Sequence, residues 1–231
     1  MMALHRIVSR WDSNKVLFEC DVPDDIESGM RTRHALEKAT AARANLADAY
    51  LAGANLAGAY LTGAKLAGAY LAGAYLADAN LTGANLAGAN LTGANLTGAK
   101  VAGAYLAGAY LADAYLAGAY LADAHLAGAN LTGAYLTDAN LDGAKWHHIT
   151  ISRAPLQLLG LHWPVHILDS HMQIGCELHS LAEWAAFDDA RIVQMDGKDA
   201  LRFWRQNKAA LLALAAADGR GVVVATEQEA A

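Results

Sequence analysis

Proline is almost missing from this chain, with three residues in 231, and cysteine is confined to Cys20 and Cys176. Two thiols so far apart in sequence cannot form a disulfide framework, which points to a reducing compartment. Residues 1–15 carry Arg6, Arg10, Asp12 and Lys15 with no apolar core between them, so no secretory leader is read there and a cytoplasmic location is the expectation. No stretch approaches the roughly 18 to 20 uninterrupted apolar residues of a spanning helix, and no membrane association is expected. Charge is sparse too. Residues 1–43 are neutral, 44–145 carry three basic and six acidic groups, and 146–231 carry seven basic and ten acidic groups. Without clustered Lys and Arg to displace counterions, direct binding to nucleic acid is not expected, although a protein that itself binds DNA stays open as a partner. A Gly-rich phosphate loop, a nucleophile elbow and a kinase-like signature are all lacking, so neither an enzyme nor a cofactor is expected.

What the chain does have is 21 glycines and a great deal of alanine, spaced with a period of five from Ala44 to Gly143 without an insertion. The unit Ala-x-Leu-y-z occurs twenty times. Position one is always alanine, position three is leucine except for Val101, and position five is glycine in fifteen copies and aspartate in five. Position two holds nine tyrosines, eight asparagines, Lys65, Lys100 and His125. An α-helix is rejected on two counts. Leucines five apart rotate by about 140° net and form no buried stripe, and each interior glycine costs roughly 0.8 to 1 kcal/mol relative to alanine. A straight strand fails because an odd period sends successive leucines to opposite faces. The backbone must therefore turn once per repeat, with position five at positive φ as the third residue of a type II corner. Asp48, Asp78, Asp113, Asp123 and Asp138 replace that glycine, and corners of a different form are expected there.

Uninterrupted Ala-(Asn/Asp)-Leu-x-x in tandem over residues 44–143 resembles the pentapeptide repeat family. The resemblance implies an all-β solenoid, a right-handed quadrilateral β-helix with four repeats per coil and hence about five coils. Leu46, Leu51, Leu56, Leu61, Leu96, Val101 and Leu141 belong to its interior column, and position two faces outward. Position two is tyrosine here as often as asparagine or aspartate, a departure from the commonest pattern. The loop insertions that some drug-resistance members use to contact their target are lacking. Some family members mimic a DNA duplex and bind gyrase, which implies gyrase as an alternative partner, with Asp113 and Asp123 on the docking surface. Six acidic groups against three basic over the repeat are few beside one phosphate per roughly 1.7 Å of duplex.

With four repeats per coil, Tyr105, Tyr110, Tyr115 and Tyr120 place one ring on each side of the fourth coil, and Tyr50, Tyr70, Tyr75 and Tyr135 add to this aromatic surface. Tyrosine supplies amphipathic contact area at low entropic cost, so these residues form the candidate surface for a protein partner of unknown identity. Aromatics are also enriched in strands generally, which gives them a purely structural role as the plainer alternative. The six threonines at position four fall on three sides, at most two per side, and form no regular array.

Residues 1–43 read as a hairpin, Ile7 to Trp11 and Lys15 to Cys20 about Asp12-Ser13-Asn14, followed by a helix from Ser28 or Gly29 to Arg43 that covers the first coil's open edge. The repeat region runs to residue 148, with Trp146 in a leucine place. Residues 149–225 read as an α+β cap that also supports a homodimer, and 226–231 as a loose tail. Within the cap, 156–168 and 171–178 read as irregular or β structure, with alternation at Met172, Ile174, Cys176 and Leu178 that would follow if 171–179 is one strand. Ser180 and Glu183 form a capping box, Asp188 or Asp189 opens a second helix, and a longer one spans Lys198 to Ala217. The helix end Ala209–Ala217 is apolar all round and calls for burial on more than one side. Cys176 and His179 are weak metal or nucleophile candidates, and His162-x-x-x-His166 is another. The alternation instead turns Cys176 inward as a structural cysteine.

Overall fold

The computed structural model describes residues 2–158 and 160–221; the tail from Thr226 and the last residues of the C-terminal region lie outside them. The chain divides into two compact units, residues 1–154 and 155–231.

In the first unit β1 (Met2–Val8) and β2 (Val16–Pro23) pair antiparallel, and a short 3-10 turn leads into α1 (Arg31–Ala41). From Asn45 onward each position-two residue bridges, in parallel, the residue twenty places later, from Asn45–Lys65 to Tyr120–Asn140. Each pentapeptide therefore lies over the one four repeats before it. The backbone donors of a repeat can be followed one by one. The position-one N–H closes the corner on the leucine carbonyl three residues earlier, as Ala49 does on Leu46 at 3.0 Å. The position-two N–H donates back to the preceding turn of chain, Tyr70 to Ala49 at 2.8 Å. Positions three and five donate forward, Leu51 to Tyr70 at 2.8 Å and Gly53 to Ala72 at 2.9 Å. The leucines from Leu46 to Leu141, with Val101, are buried in the column these ladders enclose, and most position-one alanines are buried with them.

The aspartate corners require a correction. Asp48, Asp78, Asp113, Asp123 and Asp138 have φ of 57 to 61°, close to the 62 to 71° of the corner glycines, and do not form corners of another kind. The neighbouring turns decide this: Asp48 N–H donates to Ala67 at 2.8 Å as Gly53 N–H does to Ala72, so the ladder imposes one corner geometry. Aspartate is among the few residues that accept it.

At the N-terminal side of the column, Tyr50 N–H donates to the Val8 carbonyl at 2.9 Å and Tyr60 N–H to Glu37 Oε1 at 3.0 Å. Arg33 Nη1 donates to the Ala57 carbonyl at 2.7 Å. At the other side β3 (His125–Leu126) pairs in parallel with β4 (Lys145–Trp146), and Trp146 is fully buried. There the positive φ shifts to His147, and the chain reverses so that β5 (Ile149–Thr150) returns antiparallel to β4.

The second unit is a meander of four antiparallel strands, β6 (Leu156–Leu158), β7 (Val165–Ile167), β8 (His171–Ile174) and β9 (Glu177–Ser180), followed by two helices. In α2 (Leu181–Ala186) the Ser180 hydroxyl accepts from Glu183 N–H at 3.1 Å, while the Glu183 carboxylate accepts from Ser180 N–H at 2.8 Å, a complete capping box. Asp188 caps α3 (Asp189–Ala217), which breaks at Asp196 and Gly197. α3 ends on Gly219 at positive φ, with Arg220 N–H donating to the Ala215 carbonyl at 2.9 Å. The core holds Val165, Met172, Trp184, Phe203, Trp204 and Leu211. Residues 171–178 are not one strand. Gly175, at φ 57°, reverses the chain between β8 and β9, and Cys176 sits exposed in that turn, not buried beside Met172 and Ile174.

Candidate functional site

Position two of the repeat faces away from the leucine column, and two residue types fill it for different physical reasons. All eight asparagines accept, through Oδ1, a hydrogen bond from the backbone N–H two residues on, as Asn90 does from Thr92 at 3.0 Å and Asn140 from Asp142 at 3.0 Å. That position-four N–H is the one donor of a repeat that the ladders and corners do not use. Asparagine is thus explained by the fold. Tyrosine cannot accept that bond, so its presence requires another account.

Stacking accounts for some of the rings. Tyr50 lies on Tyr70 with centroids 5.7 Å apart, Tyr115 on Tyr135 at 5.0 Å and Tyr105 on His125 at 4.8 Å, each pair joining successive turns of chain on one side. Tyr75, Tyr110 and Tyr120, together with Tyr60, lie in columns between asparagine or lysine neighbours and stack on no ring among the described residues. All four are more than half exposed, Tyr60 reaching 72%. Neither backbone satisfaction nor ring stacking explains them.

The corner aspartates are spread around the column. Asp113 and Asp123 occupy two different corner lines, with Asp78 and Asp138 sharing a third. Four of the five sit directly below a glycine of the next turn, and a Cβ added at Gly133 would meet the Asp113 carboxylate, as one at Gly143 would meet that of Asp123. Sequence reasoning passed over Trp11, which is 72% exposed at the tip of the N-terminal hairpin, with the Arg10 guanidinium 4.3 Å from its ring centroid. Arg10 also anchors to the column by donating to the Gly68 carbonyl at 2.8 Å.

The Cys and His residues of the C-terminal unit are dispersed. His179 donates to Glu177 at 2.9 Å, Cys176 is exposed, His162 is exposed and His166 is buried on β7. Among the described residues no group of three His, Cys, Asp or Glu side chains is placed to hold a metal. In the first unit burial pushes the Cys20 thiol up from its ordinary value, the reverse of what a reactive thiolate needs. No helix among the described residues is long and apolar enough to cross a membrane.

A family comparison matches the same stretch of chain as the repeat. The family model described as pentapeptide repeats matches residues 42–76, 74–111 and 109–145 in eight copies. A pentapeptide repeat protein from the cyanobacterium Cyanothece 51142 is 40% identical over 38% of this chain and 60% of its own, with a TM-score of 0.38. One from Nostoc Pcc 7120 is 36% identical over 37% of this chain and 66% of its own, with a TM-score of 0.33. A third, from the thylakoid lumen of Arabidopsis thaliana, is 28% identical over 44% and 63%, with a TM-score of 0.30. The chain thus spans less than two thirds of the length of these solved proteins. No curated protein matches it.

Proposed function

From the membership of residues 42–145 in the pentapeptide repeat family, we propose that this chain is a non-enzymatic interaction module: a rigid right-handed quadrilateral β-helix of about five coils, whose tyrosine-bearing sides receive a protein partner. The observation that carries this reading is the contrast at position two. Every asparagine side chain there completes a backbone hydrogen bond, whereas the rings of Tyr60, Tyr75, Tyr110 and Tyr120 complete none and stack on no ring among the described residues, yet are large and exposed. Tyrosine is enriched at the centres of protein interfaces, where a stiff amphipathic ring buries area for little lost rotamer freedom. Asp113 and Asp123 border the rings of the fourth coil and would serve as polar rim.

The flanks have supporting roles in this reading. The hairpin and α1 cap the first coil through Val8, Arg33 and Glu37, which occupy backbone groups that would otherwise form an open edge. The C-terminal unit is the site of a homodimer contact, for which the exposed Ala209, Ala210, Ala213 and Leu214 of α3 provide an apolar face. Two free cysteines suit a reducing compartment such as the cytoplasm.

The test replaces Tyr105, Tyr110, Tyr115 and Tyr120 together by asparagine. Each new asparagine can accept the position-four N–H, so the column is retained, and far-UV circular dichroism should be unchanged. Capture of the protein that the wild-type chain retrieves from its host lysate should be lost. Retention of that protein by the quadruple variant would move the contact off these rings. The alternative reading, a DNA mimic that regulates gyrase, has only the corner aspartates and a modest negative charge in its favour. Purified protein in micromolar excess is expected to leave gyrase supercoiling unchanged.

A further inference from the structure

Beyond the repeat, the C-terminal unit holds a half-open cleft of about 240 Å³ between the β8–β9 turn and the two sides of the break in α3. That exceeds the roughly 150 Å³ cavity that holds a benzene ring, so a ring-sized ligand with a short substituent fits. Four of its wall residues are aromatic: Trp163, Trp184, Phe203 and Trp204. Trp184 and Trp204 have centroids 5.0 Å apart with planes inclined by 44°, and Trp163 meets Phe203 edge-on at 5.3 Å, so the walls are set at angles to one another.

Two features of this cleft point to a ligand. Among the described residues its charged wall residues are Glu177 and Asp196, both carboxylates, with no lysine or arginine beside them. In addition, the helix is broken at this wall. Gly197, at φ 67° and ψ −152°, occupies a region open essentially to glycine alone, and Asp196 beside it is also non-helical. Ile192 and Met195 line the cleft before the break and Ala200 after it.

We propose that this cleft binds a small alkylated ammonium compound, the class to which choline and tetramethylammonium belong. Aromatic walls attract such a cation through their ring quadrupoles, and the two carboxylates add charge attraction that a neutral ligand of the same shape would not receive. The methyl groups replace water against the apolar walls. This site is independent of whatever the tyrosine surface binds, and its failure would leave that reading untouched.

The experiment titrates the full chain, by calorimetry and by tryptophan fluorescence, with choline, with tetramethylammonium and with 3,3-dimethyl-1-butanol, the neutral counterpart of choline. Choline should bind at least roughly tenfold more tightly than the neutral alcohol. Glu177→Gln and Asp196→Asn should each weaken choline about three- to tenfold, with an unchanged melting curve. Trp204→Phe keeps a ring with a weaker quadrupole and should weaken choline and tetramethylammonium alike. Equal binding of the neutral alcohol would overturn the proposal and leave a plain apolar pocket. So would the absence of heat or fluorescence change with either cation at about 10 mM in protein that melts normally.

Discussion

The repeat column and the C-terminal unit build hydrophobic interiors in opposite ways. In the column one residue type, leucine, recurs at one position, and each buried side chain meets near copies of itself above and below. Stability there is local and cumulative, and backbone ladders at 2.6 to 3.0 Å fix the register with little demand on side-chain shape. The C-terminal core joins Trp184, Trp204, Phe203 and Met172 once each, with single bonds such as Trp184 Nε1 to the Met172 carbonyl at 2.7 Å. An interior assembled from unlike pieces leaves room for a cleft such as the one beside the break in α3.

The contrast can be broken most severely at the interiors. Leu96→Asp buries an unpaired carboxylate in the column and should cost at least about 4 kcal/mol, seen as early loss of the β signal in denaturant, whereas Asn95→Asp next to it should be nearly neutral because its carboxylate still accepts the Thr97 N–H. Equal tolerance at the two positions would refute the inward and outward assignment. Trp184→Ala should cost about 3 to 5 kcal/mol in the aromatic core, read by tryptophan fluorescence during unfolding.

Backbone strain separates the regions next. Gly197→Ala forces a side chain into the broken segment of α3 and should cost about 1 to 3 kcal/mol, whereas Asp113→Gly, at a corner that both residues already occupy, should shift the melting temperature hardly at all. A smaller effect of opposite sign is expected at Tyr120→Asn, which gives the Ala122 N–H an acceptor and should stabilise the column by about 0.5 to 1 kcal/mol. Smallest is the acid response of the C-terminal helices. Hydrogen bonds from Ser180 hold the Glu183 carboxyl below its ordinary range, and Arg205 does the same for Asp189. Their contribution is complete above the unfolded carboxylate range of about pH 4 and fades as pH falls through the lowered values, which thermal melts between about pH 5 and 2 would follow.

How much of this was legible in the sequence differs between the two regions for a physical reason. The turn at every fifth residue could be read because twenty copies state it, and no competing period accommodates Leu46 through Leu141. Residue-by-residue φ preference predicts corners of another form at the aspartates, although the ladder from Asp48 to Ala67 leaves the corner no choice. Alternation turns Cys176 inward because it carries no sign that Gly175 reverses the chain. The capping box at Ser180 and the helix starts at Asp188 and Lys198 are local enough to be legible. The aromatic cleft is not, since Trp163 and Trp204 are 41 residues apart and only tertiary folding brings them together. At position two the tyrosines were visible, but that asparagine serves the backbone while tyrosine does not emerges only from the hydrogen bonds.

Parallel pairing at a twenty-residue offset gives the column a direction, since donors at position two point toward the chain's beginning and those at positions three and five toward its end. Such a stack is a template, and a second molecule laid head-to-tail could extend it into a fibre. With Val8, Glu37 and Arg33 already seated on the leading turn, a newcomer finds those groups taken, and growth in that direction is closed to it.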